Sequence, residues 1–65
     1  MKNVAKSDFN FGDQVLISPL ITNKSKWLSG KVIEVENNSF NGLVLSAKTD
    51  DGIIYFHQAQ YFEKQ

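Results

Sequence analysis

The sequence contains no cysteine, which excludes disulfides, thiolate zinc ligands and a thiol nucleophile. It also contains no arginine: the seven basic residues are all lysines, balanced by seven acids to a net charge of zero. Arginine supplies the bidentate fork that reads phosphate and guanine, and nucleic-acid domains ordinarily carry a basic excess, so both absences weigh against that class. No apolar run nears the roughly 18 residues of a membrane span, and the first residues hold no signal-peptide apolar core. The expected setting is cytoplasmic, without membrane contact. A lone histidine, His57, makes no metal site unless several carboxylates converge on it, and nothing in the spacing brings them, so no metal or cofactor is expected. The four glycines (12, 30, 42 and 52) are spread along the chain, so no glycine-rich loop exists to cradle a phosphate. Sixty-five residues are short for a chain without staples: a domain of this size buries only about 60% of its unfolded surface.

What the sequence does have is aromatic weight: five Phe, two Tyr and one Trp, a supply of large groups for a small core. The pattern along the chain is that of short strands. Residues 1–8 ("MKNVAKSD") are polar without a period and read as a flexible tail, leaving 9–65 as one domain. "FNFGD" places Phe9 and Phe11 around a turn closed by Gly12 and Asp13, and "QVLIS" follows as a first strand, stopped by Pro19. "PLITNKSKWLSG" reads as one long loop anchored by Leu20, Ile21 and Trp27. "KVIEVE" (31–36) is the cleanest strand, with Ile33 and Val35 on one face and Lys31, Val32, Glu34 and Glu36 on the other. "NNSFNG" is loop chemistry and "LVLSAKT" a third strand. "DDG" predicts a tight mirror-image turn into a fourth strand, "IIYF", and "QYFEK" ends the chain as a fifth. Between the last two, "HQA" is too short for a helix but suits one 3₁₀ turn. The predicted fold is all-β: a small five-stranded barrel with a short 3₁₀ turn before the last strand.

The segments "FNFGDQVLI", "GKVIEV", "DGIIYF" and "QYFEK" resemble the SH3-like barrels of the KOW type, in which a Gly-Asp opens the first strand and a Gly-x-Val-x-x-Val segment forms the second. Here those are Gly12-Asp13 and Gly30 to Val35, and the resemblance spans about residues 9 to 64. It implies an SH3-like barrel; it does not imply a function, because such folds host many. The chain is also similar to the plasmid-borne type II dihydrofolate reductases, through Phe9-Asn10-Phe11-Gly12-Asp13-Gln14-Val15 and a Trp27-to-Val32 step one residue longer than theirs. Their active site lies on a Val-Gln-Ile-Tyr strand around a tetramer pore. The matching positions here are Ile54, Tyr55, Phe56 and His57, so the substrate-holding glutamine is replaced by Tyr55 and the tyrosine by His57. That kinship implies architecture without the activity.

The candidate contact residues are few. Trp27 joins a large apolar area to one N–H donor, and Lys24, Lys26 and Lys31 make the only local basic excess around it. Such a loop could stack a base or a proline, or Trp27 could plug one end of the barrel. Tyr55 and Tyr61 each sit beside a phenylalanine, and alternation sends one of each pair outward; both tyrosines outward would form an aromatic strip for a peptide or a second copy, and otherwise they pack on an edge strand with the phenol oxygens in water. Phe40, at a hairpin tip, either folds back over the barrel or makes contacts. His57 has no nucleophile in a suitable setting, so it is expected to start the 3₁₀ turn, bond a neighbouring backbone group and half cover the barrel end. Glu34 and Glu36 read as a solvated face salt-bridged with Lys31. The expected role is that of a non-enzymatic binding module, monomeric, of bacterial, phage or mobile-element type, with a protein or peptide partner. The alternatives are a KOW-like RNA or DNA binder and a homo-oligomeric reductase.

Overall fold

The computed structural model describes residues 9–65, and the tail expected at 1–8 lies outside them. Five strands form one antiparallel sheet: β1 (Gln14–Ile17), β2 (Leu28–Asn38), β3 (Gly42–Thr49), β4 (Ile54–Gln58) and β5 (Phe62–Lys64). Their order is β4-β3-β2-β1-β5, and a 3₁₀ turn, Ala59–Tyr61, precedes β5. The fold is all-β, with the expected number of strands and the expected turn. Among the described residues the sheet is open: β4 and β5 each have one neighbour there.

Turn chemistry sets the register. Asn10 C=O accepts from Asp13 N–H at 3.0 Å, with Gly12 at φ 92°, the positive-φ third position of a type II turn. Asp13 Oδ2 accepts from Asn10 N–H at 2.9 Å and closes the loop from the other side. After Thr49 the chain departs from the mirror-image turn expected of Asp-Gly. Gly52 N–H donates to Thr49 C=O at 3.0 Å, and only Gly52 takes a positive φ (89°). Glycine thus comes third in a three-residue loop, whose ordinary first turn leaves the left-handed step to the residue after it. The Thr49 hydroxyl adds a bond to the Asp51 carboxylate.

Between β1 and β2 the expected loop contains a helical turn, α1 (Pro19–Thr22). Ser18 Oγ accepts from Leu20 N–H at 3.0 Å, Pro19 occupies the first helical position, and Asn23 ends the turn at φ 64° with its N–H on Pro19 C=O. Pro19, expected only to stop a strand, therefore also starts a helix. One turn is too short to show an apolar period.

β2 begins three residues earlier and ends two later than the "KVIEVE" strand. Its faces also differ. Val32 is fully buried and Ile33 only partly, because the register shifts between Val32 and Glu34. This β-bulge places an extra residue, Ile33, opposite no partner, so Val32 and Val35 both turn toward the core. A strict period of two, which joined Ile33 to Val35, fails across a bulge.

The core is aliphatic: Val15, Ile17, Val32, Leu45 and Ala47, closed by Phe62. Phe9, Ile21, Leu28, Val35, Leu43, Tyr55, Ala59 and Tyr61 pack around it. Gly30 is buried where β2 meets both β1 and β3. A Cβ there would lie 2.9 Å from Ile17 Cδ1 and 3.2 Å from the Lys48 carbonyl oxygen. The Ile17 methyl can move, but the Lys48 backbone is held in the ladder. Gly30→Ala is therefore expected to cost about 1–3 kcal/mol, as overpacking does, read as a lowered urea midpoint. An unchanged midpoint would show that β3 yields freely at this point.

Candidate interaction surface

The candidate residues do not gather into one site. Lys24, Lys26 and Trp27 lie in the loop between α1 and β2, all exposed, with Trp27 at 41%. Trp27 is outside the core cluster. Lys31 lies up to about 13 Å further along the extended chain, paired with Gln14 and Lys48. Phe40 is at the tip of the β2–β3 hairpin, beyond the far end of the eleven-residue β2, and is 94% exposed. It does not fold back. Asn38 Oδ1 accepts from the Phe40 and Asn41 amides at 2.7 and 3.0 Å, which fixes the tip with the ring outward.

Tyr55 and Tyr61 are half-buried against the core, so they do not form an outward strip. The outward member of the first pair is Phe56, 63% exposed, beside Ile54 at 53%. The second pair resolves with Phe62 buried. The phase follows from the turn before β4. Its three-residue loop puts Tyr55 opposite Ala47, a core residue, and thereby sends Ile54 and Phe56 to the other face. The sequence reading missed both residues; the number of residues in the Asp-Asp-Gly loop was the signal that could have found them.

His57 is in β4, opposite Leu45, and the 3₁₀ turn begins two residues later than expected. Its ring is exposed, with Tyr61 edge-on at 4.3 Å and an interplanar angle of 69°. The expected bond to a neighbouring backbone group is present: Nδ1 accepts from Gln58 N–H at 2.9 Å. Glu34 and Glu36 are exposed on one face, but the ion pair found among the described residues is Lys64 Nζ to Asp13 Oδ2 at 3.5 Å, and none joins either glutamate to Lys31.

The face opposite the core carries three cross-strand rows: Lys31–Lys48–Ile54, Glu34–Ser46–Phe56 and Glu36–Val44–Gln58. Val44 and Ser46 are buried in the middle of these rows, flanked by longer side chains on both sides. A groove of about 420 Å³ opens at the hairpin end, lined by Glu36, Asn38, Val44, Phe56, His57 and Gln58 among others. Gln58 Nε2 donates to Asn41 C=O at 3.3 Å across it.

The free side of β4 has a defined hydrogen-bonding pattern. Thr49 N–H donates to Ile53 C=O at 2.9 Å. In an antiparallel ladder bonded pairs alternate, so residues 53, 55 and 57 turn their backbone groups to β3, and 54, 56 and 58 turn theirs away. The Gln58 amide is already taken by His57. The Ile54 and Phe56 amides remain. α1 approaches β4, yet its backbone bonds among the described residues run within its own turn and to Ser18.

No group of three His, Cys, Asp or Glu side chains among the described residues is placed to hold a metal ion. No helix there is long and apolar enough to cross a membrane. Comparison with protein-family models, with curated proteins and with solved structures finds no match for this chain.

Since Phe40 and Phe56 are mostly exposed and lie outside the core cluster, Phe40→Ser and Phe56→Ser are each expected to change stability by no more than about 0.5 kcal/mol. Leu45→Ala, in the core, is expected to cost about 2–5 kcal/mol. Urea unfolding of the three variants checks the contrast, and a large loss at Phe56 would place that ring in the packing.

Proposed function

We propose that this chain is a small non-enzymatic binding module that recognises an extended protein segment by adding it as a strand to β4. The observation that carries this reading is that, among the described residues, β4 has no strand beside it on one side and contains no charged residue, proline or bulge, while Ile54 and Phe56 stand exposed on it. Natural sheets ordinarily blunt such an edge with charge or a break in the strand. Strand addition uses those features: backbone bonds supply affinity, and alternate side chains supply selectivity. The opposite edge differs, because β5 has three residues, two of them Glu63 and Lys64. The strand order, the long β1–β2 connection and the 3₁₀ turn before β5 support an SH3-like architecture in open form. The KOW and reductase resemblances stay at that architectural level.

A second reading, a nucleic-acid module of KOW type, is favoured by one observation: the half-exposed Trp27 indole shares its loop with exposed Lys24 and Lys26. Zero net charge and the lack of arginine oppose it.

Amide NMR titrations separate the two. A lysine-flanked peptide of alternating valine and threonine is expected to shift the amides of Ile53 to Gln58, and Phe56→Lys to abolish the response. Shifts confined to Lys24, Lys26 and Trp27 with single-stranded oligonucleotides, fading with salt and lost in Trp27→Ala, would replace the peptide reading with the nucleic-acid one.

A further inference from the structure

We infer that β4 pairs with the β4 of a second copy of this chain, antiparallel about a two-fold axis, with Ile54 of each copy opposite Phe56 of the other. The inference rests on the reading of β4 as a strand-docking edge and names an occupant for it.

Symmetry and the free hydrogen bonds select the register. Two identical edges related by a two-fold axis must run antiparallel. Only 54, 56 and 58 turn backbone groups outward, and the Gln58 amide is bonded to His57 Nδ1. A one-residue slip would set an outward-bonding residue against one bonded to β3. Pairing Phe56 with itself would set Ile54 against Gln58, whose amide is occupied. With Ile54 opposite Phe56, both free amides of each copy meet a free carbonyl of the other, and the axis passes between the two Tyr55 residues.

The side chains fit the same register. Ile54 and Phe56 lie on one face, so each isoleucine packs on a phenyl ring of the other copy, the β-branched–aromatic pairing that stabilises adjacent strands. β4 carries no charge, so the two edges meet without repulsion. Beyond the edge, the Lys31–Lys48–Ile54 row of one copy runs into the Phe56–Ser46–Glu34 row of the other, twice by symmetry. Lys48 and Glu34 would stand four strands apart, about 19 Å between backbones, beyond the screening length of physiological salt. These charges therefore neither oppose the pairing nor contribute to it.

The contact is small. A five-residue strand falls below the roughly 1,200 Å² that stable complexes bury, so the dimer is expected to half-form on the order of 0.1–1 mM and to exchange rapidly. A partner strand then competes for the same edge by mass action.

Sedimentation equilibrium and ¹⁵N amide spectra of the full chain from about 20 μM to about 1 mM test this. The apparent mass should climb toward that of two chains, with concentration-dependent shifts centred on residues 53 to 58. Filtered NOEs should join Ile54 of one copy to Phe56 of the other. Phe56→Lys, or Ile54→Lys if the first fails to fold, should hold the chain monomeric, while Phe40→Lys should leave association unchanged. A single mass and fixed amide shifts at about 1 mM overturn the inference, as do NOEs from another surface. A monomer whose β4 amides still respond to the valine–threonine peptide removes self-pairing alone. No response to concentration or peptide removes the strand-docking reading with it.

Discussion

β2 pairs with β1 through residues 28 to 31 and with β3 from Gly30 to Asn38, so one strand must serve both halves of the sheet. Two local features make this feasible. Gly30 removes a side chain where Ile17 and the Lys48 carbonyl come closest. The bulge at Ile33 then turns the strand, so that Val32 and Val35 both reach a core that a regular pleat would have offered to only one of them. The curl this gives the sheet brings β1 and β5 to the same cluster, with Phe62 as its lid. A regular pleat carried on from Val32 would instead expose Val35 and turn Glu34 and Glu36 toward the core.

The core so enclosed is small and aliphatic, and the aromatic supply goes largely elsewhere. Phe62 is buried and Phe9, Tyr55 and Tyr61 are half-buried, whereas Phe11, Trp27, Phe40 and Phe56 face solvent. An exposed aromatic adds nothing to a marginal fold, and scattered examples are ordinary on protein surfaces. Phe40 and Trp27 are of that scattered kind, one at each end of the molecule. Phe56 differs because Ile54 stands beside it on a strand that, among the described residues, has no strand partner on its outer side. Apolar area and free amides coincide there, which makes β4 an edge for docking and Phe40 merely a tip.

Strand identities were legible in the sequence wherever turn residues bracketed a β-rich run: Gly12-Asp13 before Val15, the asparagines before Leu43, and Asp50 to Gly52 before Ile54. Phase was not. A bulge is one residue with no composition of its own, so "KVIEVE" gave no sign that Val32 would replace Ile33 in the core. A loop of three residues rather than two reverses every side chain after it, so alternation alone left open which of Tyr55 and Phe56 faces outward. α1 was written in Ser18, Pro19 and Asn23, a cap, a start and a stop, but its single turn carries no period. The role of an edge strand is a property of pairing order, and no residue in β4 announces that no other described strand pairs with its outer side.

His57 bounds what that edge can do. By accepting from the Gln58 amide it removes the last outward donor of β4, just before the chain turns into Ala59–Tyr61. At the other end Gly52 turns the chain back toward β3. An added strand is thus confined to the bonds offered by Ile54 and Phe56 and the neighbouring carbonyls. Each such bond is worth only about 1 kcal/mol net, since water would otherwise make it, so backbone pairing alone holds a segment weakly. Burying the Ile54 and Phe56 side chains adds up to about 1.5–3 kcal/mol apiece if complete. Selectivity at this edge therefore resides in what a partner strand presents at two alternate positions, and His57, which supplies no chemistry of its own there, sets where that short site ends.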